Sequence, residues 1–213
     1  MATSIDVIVN KALDELASYG LLLKSDPKLP SVTTLVAGGP VRGSWWSHPK
    51  GHLIFRVLGA LEDREEATVV KLISGKDTFI HRRLFPALAS IGTARQGWQM
   101  KGLSAAGRRL LDLVYQQGAV RTDSLEPSSK KLKGIGEAAR ELEAVLLVRG
   151  ENVHTSSGKH AKVLESWERW AVRLGYKDRI PAEDAMSEIT ELMESLNTRF
   201  QAKGKLPWPP SRG

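Results

Sequence analysis

Apolar positions along the chain follow two rhythms, and the switch between them marks out the elements. Ile5, Ile8, Val9, Ala12, Leu13 and Leu16 recur at three- and four-residue spacing, which predicts an amphipathic helix over 5–19 with Ser4 as its cap and Gly20 as its stop. The run 21–24 is long enough only for a short strand. Pro27 and Pro30 break the pattern, Ser31 caps a helix over 32–37, and Gly38-Gly39-Pro40 ends it. A third helix is predicted over 48–63, capped by Ser47 or His48 with Pro49 in its first turn. Leu53, Ile54, Val57, Leu58 and Leu61 form its inner stripe. The period then drops to two. Val69, Lys71 and Ile73 alternate with Val70, Leu72 and Ser74, a Gly75-Lys76-Asp77 turn reverses the chain, and residues 78–81 run back as a β-hairpin. A lone hairpin is marginal in water, so this one must lie on helices. A helix over 84–91 follows, tolerating Pro86 in its first turn.

After a connector over 92–102 the same order returns. Ser104 caps a helix that buries Leu110, Leu111 and Val114 and that Gly118 closes; Ala119, Val120 and Arg121 repeat the short strand. A helical turn at 123–125 and a basic loop carrying Lys130, Lys131 and Lys133 precede a helix over 135–147, with Ile135, Ala138 or Ala139, Leu142 and Val145 inside. A second hairpin pairs 147–155 with 160–164. Helix, short strand, helix, helix, hairpin is the order of a winged helix. The predicted fold class is therefore mostly α with small β-hairpins (α+β): one winged-helix unit over 1–100, a second over 101–165, and a C-terminal helical appendage and tail over 166–213. The repeat is one of pattern, with little residue identity. In the appendage, Trp167 and Trp170 fall on one side of a helix over 166–175. A longer helix over 182–202 starts after Pro181, with Glu183 and Asp184 in its first turn and Met186, Ile189, Met193, Leu196 and Phe200 as its stripe. The tail over 206–213 reads as an extended strap pinned by Trp208.

Composition narrows the function classes. The 213 residues are 41% hydrophobic and 26% charged and contain no cysteine, which excludes disulfides and thiolate metal sites and fits a cytoplasmic, reducing setting. No apolar run approaches the ~18 residues of a membrane span, and no leader pattern opens the chain. A formal net charge of +7 makes a polyanion, DNA, the natural partner.

The cations fall on the elements that a winged helix presents to a duplex. Lys50, His52 and Arg56 lie on the third helix, Lys71 and Lys76 on or near the first hairpin, and Arg82 and Arg83 at its exit. Lys130, Lys131 and Lys133 in the loop, with Lys159, His160 and Lys162 at the second hairpin, complete the expected footprint. The alternative is a scatter of solvated side chains. The corresponding helix of the second round shows Glu137, Arg140, Glu141 and Glu143, a face that repels phosphate, and so reads as structural. Trp45 and Trp46, beside a Gly-rich turn, read first as core and second as a stacking platform for bases.

Other chemistry is thin. His48 and His52 are four apart, but Pro49 and Gly51 lie between them and no third ligand is evident, so no metal is expected. The segment 38–44 imitates a phosphate loop without its lysine, and no cofactor is implied. No nucleophile triad can be assembled from spacing. Gly134-Ile135-Gly136 imitates the Gly-hydrophobic-Gly turn of helix-hairpin-helix motifs, though a plain helix start explains it as well.

The stretches GSWWSHPKGHLIFRVLGALED, KLISGKDTFIHRRLFPAL and ENVHTSSGKHAKVLESWERWA resemble an uncharacterised bacterial family related to the winged-helix DNA glycosylases of the AlkZ (YcaQ) type. The resemblance implies tandem winged helices, DNA as partner and a link to DNA repair. The catalytic Gln-x-Gln of those glycosylases has no counterpart: Gln96 and Gln99 are three apart, and Gln116 and Gln117 are adjacent. Three functions follow as expectations. The first is a DNA-binding protein linked to repair or regulation. The second is a DNA glycosylase acting on damaged bases, with Asp77, Glu151 or Gln99 handling water. The third is a winged-helix protein-protein assembly module using Trp167, Trp170 and the last helix, which also serves self-association.

Overall fold

The computed structural model describes residues 4–125, 134–154, 160–176 and 180–210. The fold is mostly helical with two small three-stranded antiparallel sheets. Its packing separates two compact units, Met1–Phe85 with Ser187–Leu206, and Pro86–Met186 with Pro207–Gly213. Packing thus groups the chain differently from sequence order over 1–100, 101–165 and 166–213, because the last helix starts in one unit and continues in the other.

In the first unit α1 (Ser4–Tyr19) leads into β1 (Leu21–Leu23) through Gly20, whose φ of +78° is open to glycine and whose N–H donates to the Leu16 carbonyl at 2.7 Å. A loop bounded by Pro27 and Pro30 is held by Asp26, whose Oδ1 accepts the amides of Lys28 and Leu29, each at 2.9 Å. Helix α2 (Val32–Ala37) begins at Ser31, whose Oγ accepts the Thr34 amide, and ends at left-handed Gly38. Helix α3 (Gly51–Glu62) follows, then β2 (Ala67–Lys71) and β3 (Asp77–His81). The sheet order β1-β3-β2, with Leu22 opposite Phe79 and Val69 opposite Phe79, completes a winged helix. Val9, Leu16, Leu22, Val32, Ile54, Val57, Leu61 and Phe79 form its core.

Two local predictions shift. Helix α3 starts at Gly51, not at 48, because Trp45–Ser47 form a 3-10 turn and His48 stays extended. Gly51 then packs under that turn, where a Cβ would stand 2.8 Å from the Trp46 carbonyl oxygen. The hairpin turn lies two residues earlier than expected. Ile73–Gly75 form a 3-10 turn with Ser74 at φ 52°, and Asp77 is already a β3 residue opposite Lys71.

The second unit carries α4 (Phe85–Ala94) from Pro86 onward and α5 (Gly97–Met100), the latter inside what reads as a connector. Helix α6 (Ala105–Gln117), β4 (Ala119–Arg121), a 3-10 turn at Thr122–Leu125, α7 (Ile135–Ala144), β5 (Arg149–His154) and β6 (His160–Glu165) repeat the winged order, with sheet order β4-β6-β5. Ser104 caps α6 through the Gly107 amide at 3.0 Å. Helix α7 stops at Ala144, three residues short of the expected end, because Leu146 turns left-handed at φ 56° and Leu147 donates back to the Leu142 carbonyl. Helix α8 (Trp167–Arg173) buries Trp167 and Trp170, ring centroids 5.3 Å apart edge to face. Gly92 lies under the Trp167 indole, where any Cβ would overlap the ring. Trp208 is buried and 6.0 Å from Trp98, so the tail is pinned as predicted.

Helix α9 (Ala182–Phe200) belongs to the first unit from Ser187. Its Phe200 meets Tyr19 edge to face at 5.7 Å. No helix among the described residues is long and apolar enough to cross a membrane.

Candidate nucleic-acid interface

Helix α3 divides cleanly. Ile54, Val57, Leu58 and Leu61 are buried, while His52, Phe55, Arg56 and Gly59 recur at three- and four-residue spacing on the exposed side. The 3-10 turn ahead of the helix sets Trp45, half-buried on the core, against Trp46, their rings stacked 4.3 Å apart at 23°. Phe55 continues the aromatic layer, 5.2 Å from Trp46. Trp46 is nonetheless 58% exposed and Phe55 53%. The layer is therefore rooted in the core through Trp45 and open to solvent at its outer members, so the pair is split between core and surface. Phe55 was missed by the sequence reading. Its signal was a phenylalanine on the polar side of the helix, between His52 and Arg56.

Arg56, His52 and the preceding Arg42 are exposed and make no ion pair among the described residues. At the far end of the same helix stand Glu62 and Asp63, with Glu62 held by Lys24 at 2.6 Å. The open face is thus aromatic with Arg56 at its N-terminal half and ends at the Glu62–Lys24 pair and an exposed Asp63.

The other expected contacts are largely occupied. Lys50 points its Nζ at the last carbonyls of α2, Val36 at 3.0 Å and Ala37 at 3.2 Å, compensating groups that a helix C-terminus leaves unpaired. Lys71 pairs with Asp77 at 2.6 Å, and Lys76 with Asp26 at 2.7 Å. Burial alone raises the Asp26 carboxyl, but the Lys76 ammonium and the amides of Lys28 and Leu29 outweigh it and hold the group below its ordinary value. The hairpin turn itself is covered. The Ser74 amide donates to the Lys205 carbonyl at 2.7 Å, and the Lys205 amide returns to Ser74 Oγ at 3.2 Å. Arg83 reaches the Ser18 carbonyl at 3.5 Å, while Arg82 is exposed. His81 Nδ1 accepts the Arg83 amide; burial and then the Arg83 and Arg82 charges push the imidazole below its usual value, so it is neutral near pH 7. Lys162 pairs with buried Glu143, Nζ to Oε1 at 2.7 Å. Lys130, Lys131, Lys133 and Lys159 lie outside the described residues, and His160 is described only as a strand residue. Among the described residues the expected single basic stripe reduces to the α3 face and the exit of the first hairpin, because carboxylates at short range capture Lys71, Lys76 and Lys162 and the α2 carbonyls hold Lys50.

The water-handling candidates are likewise engaged. Asp77 is shared by Lys71 and Lys24, and Glu151 pairs with Arg149 at 2.9 Å. Gln99 is 1% exposed; its Nε2 donates to the Ile91 and Val145 carbonyls and its Oε1 accepts the Gln96 amide. It ties α5 to the chain around it. Trp167 and Trp170 are core, which removes them from any partner contact. His48 Nδ1 accepts the Lys50 amide, and among the described residues no group of three His, Cys, Asp or Glu is placed to hold a metal ion. Gly134, at φ 88°, opens α7 as a helix start, with Glu137 in the first turn opposing a phosphate there.

Comparison of the chain with protein-family models, with curated proteins and with solved structures finds no match.

Proposed function

We propose that this chain is a DNA-binding tandem winged-helix protein that meets nucleic acid through the exposed face of α3, with a role in DNA repair or regulation. The observation that carries the reading is the open layer of Trp46 and Phe55 beside Arg56 and His52, which make no ion pair among the described residues, on the helix that a winged helix directs into the groove. A net charge of +7 supports it, since phosphate contacts release counterions. The repair link rests on the resemblance to AlkZ-type proteins. Asp77, Glu151 and Gln99 lend no support to base excision by this chain, as each is held by a neighbour.

Fluorescence anisotropy with labelled DNA tests the reading. Affinity is expected to fall steeply as salt rises, and Arg56→Ala to weaken binding several-fold and lower the salt slope by about 1. Binding that is absent at low salt, or indifferent to salt, overturns it. Lys50→Ala acts differently: it lowers stability through α2 before it affects DNA.

A second reading, a protein-protein assembly module, is favoured by the apolar side chains exposed on and after α8: Val172 at 77%, with Leu174 and Ile180. Sedimentation at low and high salt separates the two, because an apolar interface persists where phosphate contacts dissociate.

A further inference from the structure

We infer that the aromatic layer of α3 receives an unpaired base, so that the preferred ligand is DNA with a single-stranded or locally unstacked segment and not an intact duplex. The inference rests on the DNA-binding reading and specifies its substrate class. Four features carry it.

The first is the layer itself. Trp45, Trp46 and Phe55 are already stacked or tilted against one another, and Trp45 is anchored on the core, so the outer rings are held in place before any ligand arrives. Aromatic faces held in this way accept bases of any sequence, provided that the base is out of its own stack. The second is the rim. Arg56, a cation, and His52, a hydrogen-bonding group, flank Phe55 on the same helix face and have no acidic partner among the described residues, where the backbone of a stacked nucleotide needs such contacts. Gly59, one turn on, has nothing within 4 Å of where a Cβ would be, leaving the helix backbone open to close approach.

The third feature is the acidic end. Asp63 stands exposed beyond the Glu62–Lys24 pair, so a duplex lying along the whole of α3 would bring a phosphate toward that carboxylate. Contact limited to the N-terminal half avoids this. The fourth is the hairpin. Lys71 and Lys76 are paired with carboxylates and the turn is covered by the Lys205 backbone, so the strands of the wing offer little to the second strand of a duplex and its contacts fall to the exposed Arg82 and Lys205. What is left is a short aromatic site with a cationic edge, suited to one strand.

The full chain can be titrated against three labelled probes of equal length: oligodeoxythymidine, a perfect duplex, and a duplex with a central unpaired bulge. The single strand and the bulge are expected to bind more tightly than the duplex. Trp46→Ala is expected to weaken both by between about fivefold and a hundredfold, the range a lost base-aromatic stack spans, with little change for the duplex. Trp46→Phe should retain the preference, and circular dichroism should show both variants folded, since Trp46 is largely exposed. Arg56→Ala should weaken all three probes. An equal loss on all three probes in Trp46→Ala, or a duplex preference in the parent chain, overturns the inference while leaving DNA binding intact. Failure to bind any probe at low salt removes both readings. If Trp46→Ala instead abolishes self-association, the layer is a protein contact and the inference is wrong.

Discussion

Lys50 and Arg56 are both exposed cations near the start of α3, yet only one is available to a ligand. Lys50 is drawn back by the Val36 and Ala37 carbonyls, whereas Arg56 has no acceptor in reach among the described residues. Asp26 shows the same rule for an acid. Because neighbours hold its folded value below the ordinary 3.8, its contribution to stability is complete above about pH 4 and is lost as the pH falls through that lower value. Asp26→Asn, which removes the Lys76 pair and weakens the Pro27–Pro30 loop, is expected to cost about 1–3 kcal/mol at pH 7 and to make the loss of stability below pH 4 shallower, as read by urea unfolding across pH. Identity and spacing announced which residues are charged. They said nothing of Asp26 finding Lys76 across the fold, or Glu143 finding Lys162, and these tertiary neighbours decided which cations stayed open.

At the scale of elements, the strands and helices were legible where a period and a cap agreed. The 32–37 helix, with Ser31 before it and Gly38 after it, lies where the pattern put it. The start of α3 was hidden, since the 3-10 turn at Trp45–Ser47 depends on Gly51 fitting beneath it and carries no periodic signal. The covering of the hairpin turn was equally invisible, because its partner is more than a hundred residues away in sequence. That cover depends on Asn197, which accepts the Gly204 amide at 2.7 Å and donates to the Gly204 carbonyl at 2.9 Å, setting Lys205 against Ser74. Asn197→Ala is expected to speed amide hydrogen exchange at Ser74 by at least tenfold while leaving β1 amides unchanged. Equal exchange in parent and variant would show that the strap holds without it.

For the whole molecule, the pattern gave two rounds of one order, and the fold class follows from them. What the pattern could not give is that packing ignores chain order. Ile189, Met193 and Leu196, in the half of α9 that belongs with residues 1–85, are buried, and Gly204 fits where a side chain would strike Met193, Ile73 and Leu29. A chain ended after Met186 is expected to lose on the order of 5 kcal/mol from the first unit, from three apolar side chains at ~1.5–3 kcal/mol each. Hydrogen exchange in α1 and β2 measures it, and unchanged protection there would refute the grouping.

That grouping bears on synthesis. On the ribosome, residues 1–85 leave the exit tunnel while the helix that completes their core is still untranslated, and all of 86–186 must emerge first. At roughly 5–20 residues per second this is a wait of roughly 5–20 seconds, during which the nascent N-terminal segment shows apolar surface to chaperones and proteases.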